Sequence, residues 1–217
     1  VFAGPPGTGK TMAAQVMAAE LGMELYRVEL PAIVDKYIGE TEKKLNRIFS
    51  EAEKSMAILF FDEADVLFSK RTEIKESNDK YSNMEIAFLL QKMEEYDGVS
   101  ILATNYLQNF DSAFRRRISD IIDFPLPDSG LRLKMWQSMH PPRLPLSDEI
   151  DYRFLARQFE VSGSVIKNTL IYASFLAAEA GEPLLTMQRI LKGLSHELEK
   201  SGKKLSRGDY GEYGHLF

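Results

Sequence analysis

The sequence predicts an α/β protein: a parallel-sheet, phosphate-loop core followed by a small helical subdomain. Three observations lead there. Gly4-Pro5-Pro6-Gly7-Thr8-Gly9-Lys10-Thr11 fits the pattern G-x-x-x-x-G-K-[ST], between an apolar Val1-Phe2-Ala3 and a helix-like Thr11–Glu20. Two further apolar runs, Met56–Phe61 and Val99–Asn105, read as strands buried on both faces and alternate with helical stretches, as parallel sheets require. After Pro127 no β-rich run follows. The expected division is residues 1–127 as the α/β core, 128–204 as the helical subdomain and 205–217 as a C-terminal tail.

The elements follow in order. After the first helix, Glu24–Leu30 alternates apolar and polar like a strand. Pro31 suits a helix start. Gly39 marks a loop before an amphipathic helix over Glu42–Lys54, in which Leu45, Ile48, Phe49 and Ala52 share a face. Met56–Phe61 ends in Asp62-Glu63-Ala64-Asp65. Ser69–Asn83 is polar and charge-rich and predicts a mobile loop, with a helix from Met84 to Tyr96. Ile118–Phe124 is the last strand candidate, closed by Pro125 and Pro127. The helices expected beyond are Ser129–Met139, Ile150–Gln158, Ser164–Ala180 and Thr186–Ser201. Because the chain opens at Val1, without Met, inside an apparent core strand, upstream residues are expected to precede it.

Composition bounds the function. The 217 residues are 44% hydrophobic and 27% charged, with 27 basic against 32 acidic side chains and a net charge of −5. That balance carries no whole-chain basic signature of a nucleic-acid binder or an anionic-membrane binder. No apolar run approaches the about 18 residues that span a bilayer. There is no cysteine and there are only three histidines, which leaves no Cys-ligated metal and argues against a transition-metal site. The expected compartment is reducing and cytoplasmic. His196-Glu197-Leu198-Glu199-Lys200 begins like a zinc-protease motif but has Lys where the second histidine ligand belongs. Met135 and Trp136 fit a helix core better than a cofactor box, and no guanine-reading N-K-x-D is present.

The chemistry-bearing residues point to nucleoside triphosphate and Mg²⁺. Glycines let a backbone curl so that its N–H groups meet phosphate oxygens, and the adjoining helix N-terminus adds partial positive charge. Pro6, Gly7, Thr8, Gly9, Lys10 and Thr11 form the expected phosphate cradle. Lys10 would reach the β- and γ-phosphates, and the Thr11 hydroxyl would ligate the metal. Asp62, at the end of a buried strand, would support the metal directly or through water. Glu63 would polarise a water for attack. Asn105, at the end of the next strand, could hydrogen-bond that water or the γ-phosphate, and equally suits a turn. Arg115-Arg116-Arg117 is either a solvated basic face or a source of a cation offered to a neighbouring subunit's γ-phosphate.

Taken together and in this order, the motifs resemble those of the AAA branch of the AAA+ ATPases, over nearly the whole chain. Gly4–Thr11 is similar to Walker A, Ile58–Glu63 to Walker B and Asn105 to sensor 1. Arg116 and Arg117 fall where the branch keeps its arginine fingers, after Asp111-Ser112-Ala113-Phe114, though without the Pro-Gly spacer of many members. Ser162-Gly163-Ser164 resembles the start of a lid helix lying against the adenine and ribose, which implies nucleotide contacts for Gly163 and Ser164; no sensor-2 arginine follows. Lys36-Tyr37-Ile38-Gly39-Glu40 resembles pore loop 1, implying that Lys36, Tyr37, Ile38 and Gly39 would grip an extended polypeptide. Ser69–Asn83 sits where relatives carry pore loop 2. Leu205–Phe217 resembles tails of bacterial AAA ATPases encoded with contractile injection systems. The resemblance implies Mg²⁺-dependent ATP hydrolysis by a homo-oligomeric ring, a hexamer, that remodels protein partners through a central pore, with no nucleic-acid partner and no membrane span. The rivals are an ATP-controlled assembly scaffold that does not thread its partner and, further off, a nucleic-acid motor or loader; a metabolic kinase fits least.

Overall fold

A computed structural model describes residues 1–33, 39–65, 78–110, 112–142, 144–182 and 184–217. The chain divides into two compact units, Val1–Pro125 and Leu126–Phe217.

The first unit is a five-stranded sheet: β1 (Phe2–Ala3), β2 (Leu25–Glu29), β3 (Ile58–Asp62), β4 (Ser100–Thr104) and β5 (Ile122–Asp123), in the order β2-β3-β4-β1-β5. Every pairing is parallel. Around it run α1 (Lys10–Leu21), the short α2 (Leu30–Ile33), α3 (Glu40–Ser55), α4 (Asn78–Glu95) and the single-turn α5 (Ser112–Arg115).

Strand parity sorts the core into two faces. In β3, Ile58 and Phe60 pack with Ala14 and Ala18 of α1, while Leu59 and Phe61 pack with Leu45 and Phe49 of α3 and with Ile86 and Leu89 of α4. Ile58, Leu59, Phe60 and Phe61 are all fully buried, which explains the unbroken apolar run. The same alternation places Ile101 and Ala103 of β4 on the α1 face and Leu102 opposite. In β2, Leu25 lies with the α1 face and Tyr26 and Val28 with the other. Asp62, Asn105, Arg27 and Glu29 continue the α1-facing parity, so the fold delivers them to one side of the sheet at its C-terminal edge. The buried Tyr96 hydroxyl donates to the Ala57 carbonyl (2.5 Å) and the Ala52 carbonyl (3.3 Å), tying the end of α3 to the entry of β3.

Two sequence expectations are corrected. The helix expected to begin at Met84 begins at Asn78, so the last six residues of the loop expected over Ser69–Asn83 are helical; Ser69–Ser77 lies outside the described residues. The strand expected over Ile118–Phe124 pairs only at Ile122–Asp123, because β1 offers a two-residue ladder, Phe2 with Ile122 and Ala3 with Asp123.

The second unit is helical: α6 (Ser129–Ser138), α7 (Tyr152–Gln158), α8 (Gly163–Glu179) and α9 (Met187–Lys200). Asp128, Asp151 and Thr186 cap α6, α7 and α9, each accepting from a backbone N–H three residues on. Trp136, Leu155, Ile166, Leu170, Ile190 and Leu194 are fully buried in its core. Helices α8 and α9 meet at Gly193, where a Cβ would lie 2.7 Å from the Thr169 carbonyl oxygen. The C-terminal segment forms 3-10 turns over Arg207–Leu216; Tyr210 is buried, stacks on Phe217 (4.2 Å between ring centroids), and Tyr213 packs edge-on against Phe154.

Candidate functional site

The phosphate loop leaves β1 at Gly4, whose backbone (φ +149) and surroundings demand glycine: a Cβ there would sit 2.1 Å from the Phe124 carbonyl oxygen. The loop closes at Gly9, a left-handed residue (φ 101) that caps α1. Thr8 Oγ1 donates to the Pro5 carbonyl (2.8 Å), bracing the turn from within. Pro6 lies exposed at its crest, and Gly7 is left-handed (φ 75).

Lys10 opens α1 and is buried. Its ammonium donates to the carbonyls of Gly4 (2.6 Å) and Pro5 (3.0 Å) and to Asn105 Oδ1 (3.0 Å). An ammonium has three protons, so this set saturates it. Burial lowers its pKa from the usual lysine value, against the raising effect of Asp65 and Asp62.

Thr11 Oγ1 donates to Asp62 Oδ2 at 3.4 Å. These two oxygens suit Mg²⁺. They are hard donors, and at 3.4 Å they stand about 0.5 Å wider than the roughly 2.9 Å edge of an octahedron with bonds of about 2.0–2.1 Å. Mg²⁺ takes one or two protein ligands and fills the rest with water and phosphate, so the pair suffices. Asp62 also accepts from Arg27 NH2 (2.9 Å), which lies 3.7 Å from Glu29 Oε1.

Glu63 stands in the left-handed region (φ 55), uncommon for a residue with a side chain. The turn is held there by Glu63 N donating to Asp62 Oδ1 (3.0 Å) and by Ala64 N donating to the Ala103 carbonyl (3.0 Å). Its side chain is exposed and no partner for its carboxylate exists among the described residues. A carboxylate held by backbone geometry yet left unpaired is available to a water.

Sequence reasoning gave no role to two residues that the fold brings to this corner. Arg27 pairs with Asp62; its signal was the parity of β2, in which Leu25, Arg27 and Glu29 share a face and Glu29 registers with Asp62. Asp65 accepts from Thr104 Oγ1, from the backbone N–H groups of Asn105 (3.0 Å) and Tyr106 (3.3 Å), and from Asn105 Nδ2 (2.9 Å). Its signal was a third acidic residue three positions after Asp62.

Lys10, Thr11, Asp62 and Asn105 therefore meet at the C-terminal ends of β1, β3 and β4, where ligands of open α/β sheets bind. Arg116 and Arg117 are exposed; Arg117 Nε lies 3.5 Å from Glu94 Oε1, Arg115 donates to the Leu107 carbonyl (3.0 Å), and Arg116 has no partner among the described residues. Gly163 and Ser164 begin α8 in the second unit, with Ser162 Oγ and Ser164 Oγ 3.1 Å apart. Gly39 caps α3 in a left-handed conformation (φ 85). Lys36, Tyr37, Ile38 and Asp111 lie outside the described residues. Among the described residues no helix is long and apolar enough to cross a membrane.

Residues 1–126 match the family model "ATPase family associated with various cellular activities (AAA)". The chain is 31% identical over 211 residues to the 26S proteasome regulatory subunit 6A of Saccharomyces cerevisiae, covering 94% of this chain and 48% of that protein. It is 34% identical over 199 residues to the proteasome-activating nucleotidase of Aeropyrum pernix (88% and 48%), and 32% identical over 206 residues to that of Archaeoglobus fulgidus (91% and 52%). The chain spans about half the length of these curated relatives.

Proposed function

The chain belongs to the AAA family of ATPases, and on that premise we propose that it is the Mg²⁺-dependent, ATP-hydrolysing module of a ring that remodels protein partners. The observation that carries this is the meeting of Lys10, Thr11, Asp62 and Asn105 around one loop mouth, with Glu63, whose carboxylate has no partner among the described residues, beside them.

The chemistry follows from what each group can exchange. An incoming polyphosphate offers Lys10 charged acceptors in place of the neutral carbonyls of Gly4 and Pro5, and charge-assisted hydrogen bonds are roughly twice as strong as neutral ones. The N–H groups of Gly7, Thr8 and Gly9 supply backbone donors, Pro6 having none, and the N-terminus of α1 favours the negative charge. Thr11 and Asp62 would hold Mg²⁺, which supplies charge neutralisation at the β- and γ-phosphates. Glu63 takes the proton of the attacking water, and Asn105 orients that water or the phosphate. Arg116 and Arg117 complete the site of an adjacent subunit in a hexamer. Lys36, Tyr37, Ile38 and Gly39 line the pore and grip the polypeptide; Gly163 and Ser164 contact the nucleoside. The named roles of the relatives, a proteasome subunit and proteasome-activating nucleotidases, favour protein rather than nucleic acid as the object moved.

Glu63→Gln tests the core of this. The amide keeps the shape but cannot accept the proton, so ATP affinity should persist while turnover falls by about a hundredfold or more. Undiminished steady-state hydrolysis would remove Glu63 from the role of base.

A further inference from the structure

We propose that Asp65 is a positioning residue that dictates which end of the Asn105 amide faces the phosphate loop. The inference rests on the ATPase function proposed above and deepens it.

An asparagine amide has a donor end and an acceptor end, and the two are near-isosteric. Here its partners are not ambiguous. Lys10 can only donate, and it lies 3.0 Å from Asn105 Oδ1. The Asp65 carboxylate can only accept, and it lies 2.9 Å from Asn105 Nδ2. Flipping the amide would set NH₂ against an ammonium and a carbonyl oxygen against a carboxylate, replacing two charge-assisted hydrogen bonds by two repulsive contacts. Asp65 is itself clamped: Thr104 Oγ1 and the backbone N–H groups of Asn105 and Tyr106 all donate to it. The carboxylate thus has no freedom to release the amide by rotation.

Two consequences follow. First, Asn105 presents an acceptor toward the loop. When Lys10 turns to a polyphosphate, Oδ1 faces the reacting corner with a lone pair, suited to receive a hydrogen bond from water and unsuited to approach a phosphate oxygen. Of the two roles the sequence left open for Asn105, Asp65 selects the water. Second, Asp65 sits three residues beyond Asp62 on the chain that leaves β3 and grips the chain that leaves β4. The end of the strand carrying Asp62 and Glu63 cannot shift without carrying Asn105 along.

The test is a cycle of Asp65→Asn, Asn105→Ala and the double variant in the full chain, reading ATP turnover and, separately, nucleotide affinity with a fluorescent ADP. Asn at position 65 sets an NH₂ group against Asn105, so the partner amide must flip. Turnover should fall by about a hundredfold, the scale of a misplaced catalytic group. Nucleotide affinity should stay within about twofold, and Asp65→Asn should add less than about twofold in the Asn105→Ala background. A merely structural role would cost turnover equally in both backgrounds, and that outcome overturns the proposal, as does wild-type turnover in Asp65→Asn. A second readout needs no activity. The Asn105 side-chain amide signal, identified in a ¹H–¹⁵N spectrum by its loss in Asn105→Ala, should move in nucleotide-free Asp65→Asn while the rest of the spectrum keeps its folded dispersion. An unmoved signal refutes the role of Asp65. A wild-type chain that hydrolyses nothing defeats the ATPase function, while the spectrum still decides on Asp65.

Discussion

Replacing Arg27 by Gln should tighten the hold of the nucleotide-bound site on Mg²⁺. The guanidinium lies 2.9 Å from Asp62 Oδ2, one of the two oxygens that would hold the metal, so a resident cation stands where a divalent one must arrive. The size of the effect follows from exposure. Arg27 is 49% exposed and Asp62 15%, so water screens the pair from one side only. Exposed ion pairs contribute about 0.2–1 kcal/mol, and a half-buried one belongs at the upper end. Arg27 also has somewhere to go: Glu29 Oε1 is 3.7 Å away and would take up part of the released charge. A net competition of about 0.5–1 kcal/mol corresponds to a roughly two- to fivefold tighter Mg²⁺ dissociation constant in Arg27→Gln. The assay is the release rate of a fluorescent ADP measured across free Mg²⁺ concentrations, with the wild type alongside. Mg²⁺ dependence that is unchanged, or weaker, would show that Arg27 does not compete for Asp62 and that its ion pair with Asp62 survives metal binding.

Two further outcomes concern the second unit, where the single tryptophan, Trp136, is fully buried and reports on that unit alone. Gly193→Ala would push a methyl group to 2.7 Å from the Thr169 carbonyl oxygen and 3.3 Å from Ala173 N; the helices α8 and α9 must part, and the tryptophan unfolding transition in urea should move to a lower midpoint, a loss of stability of about 1–3 kcal/mol. Arg189 grips Glu182 with Nε (3.0 Å) and NH2 (2.5 Å), and this hydrogen-bonded pair lowers the Glu182 pKa below its usual value of 4.5. A lowered carboxylate pKa means the unfolded chain binds the proton first on acidification. The stabilisation is therefore complete above about pH 4.5 and is lost as pH falls through the lower folded value. The stability difference between wild type and Glu182→Gln should vanish on that acid limb; a difference independent of pH would assign the effect to packing.

Patterned segments were legible and unpatterned ones were not. Helix α8 was expected over Ser164–Ala180 and forms over Gly163–Glu179; α9 was expected over Thr186–Ser201 and forms over Met187–Lys200. Both carry the apolar spacing that local chemistry imposes, and α9 also carries its Thr186 cap. The start of α4 escaped because Asn78-Asp79-Lys80 and Ser82-Asn83 provide no apolar stripe by which a helix announces itself in sequence. Ile118–Phe124 was expected as one strand closed by Pro125 and Pro127, but pairing is a property of the neighbour, and β1 offers only two partners. The site divides the same way. Lys10, Thr11, Asp62, Glu63 and Asn105 stand in motifs whose spacing reflects their chemistry. Arg27 and Asp65 act through register and through a turn that crosses about 40 residues of sequence, so β2 parity and an acidic residue three positions after Asp62 placed them without naming their partners.

The partners that hold Lys10 also bear on selectivity. Its ammonium is fully occupied by two loop carbonyls and the Asn105 amide. A ligand must therefore do better than a good existing arrangement before it gains anything from this residue. Adenosine and AMP, which bring no β- or γ-phosphate oxygens within its reach, would leave the lysine where it is. Only a di- or triphosphate supplies anionic acceptors strong enough to draw it off its own backbone. Rejection of short nucleotides would then arise in the loop itself, before any contact with base or ribose is made.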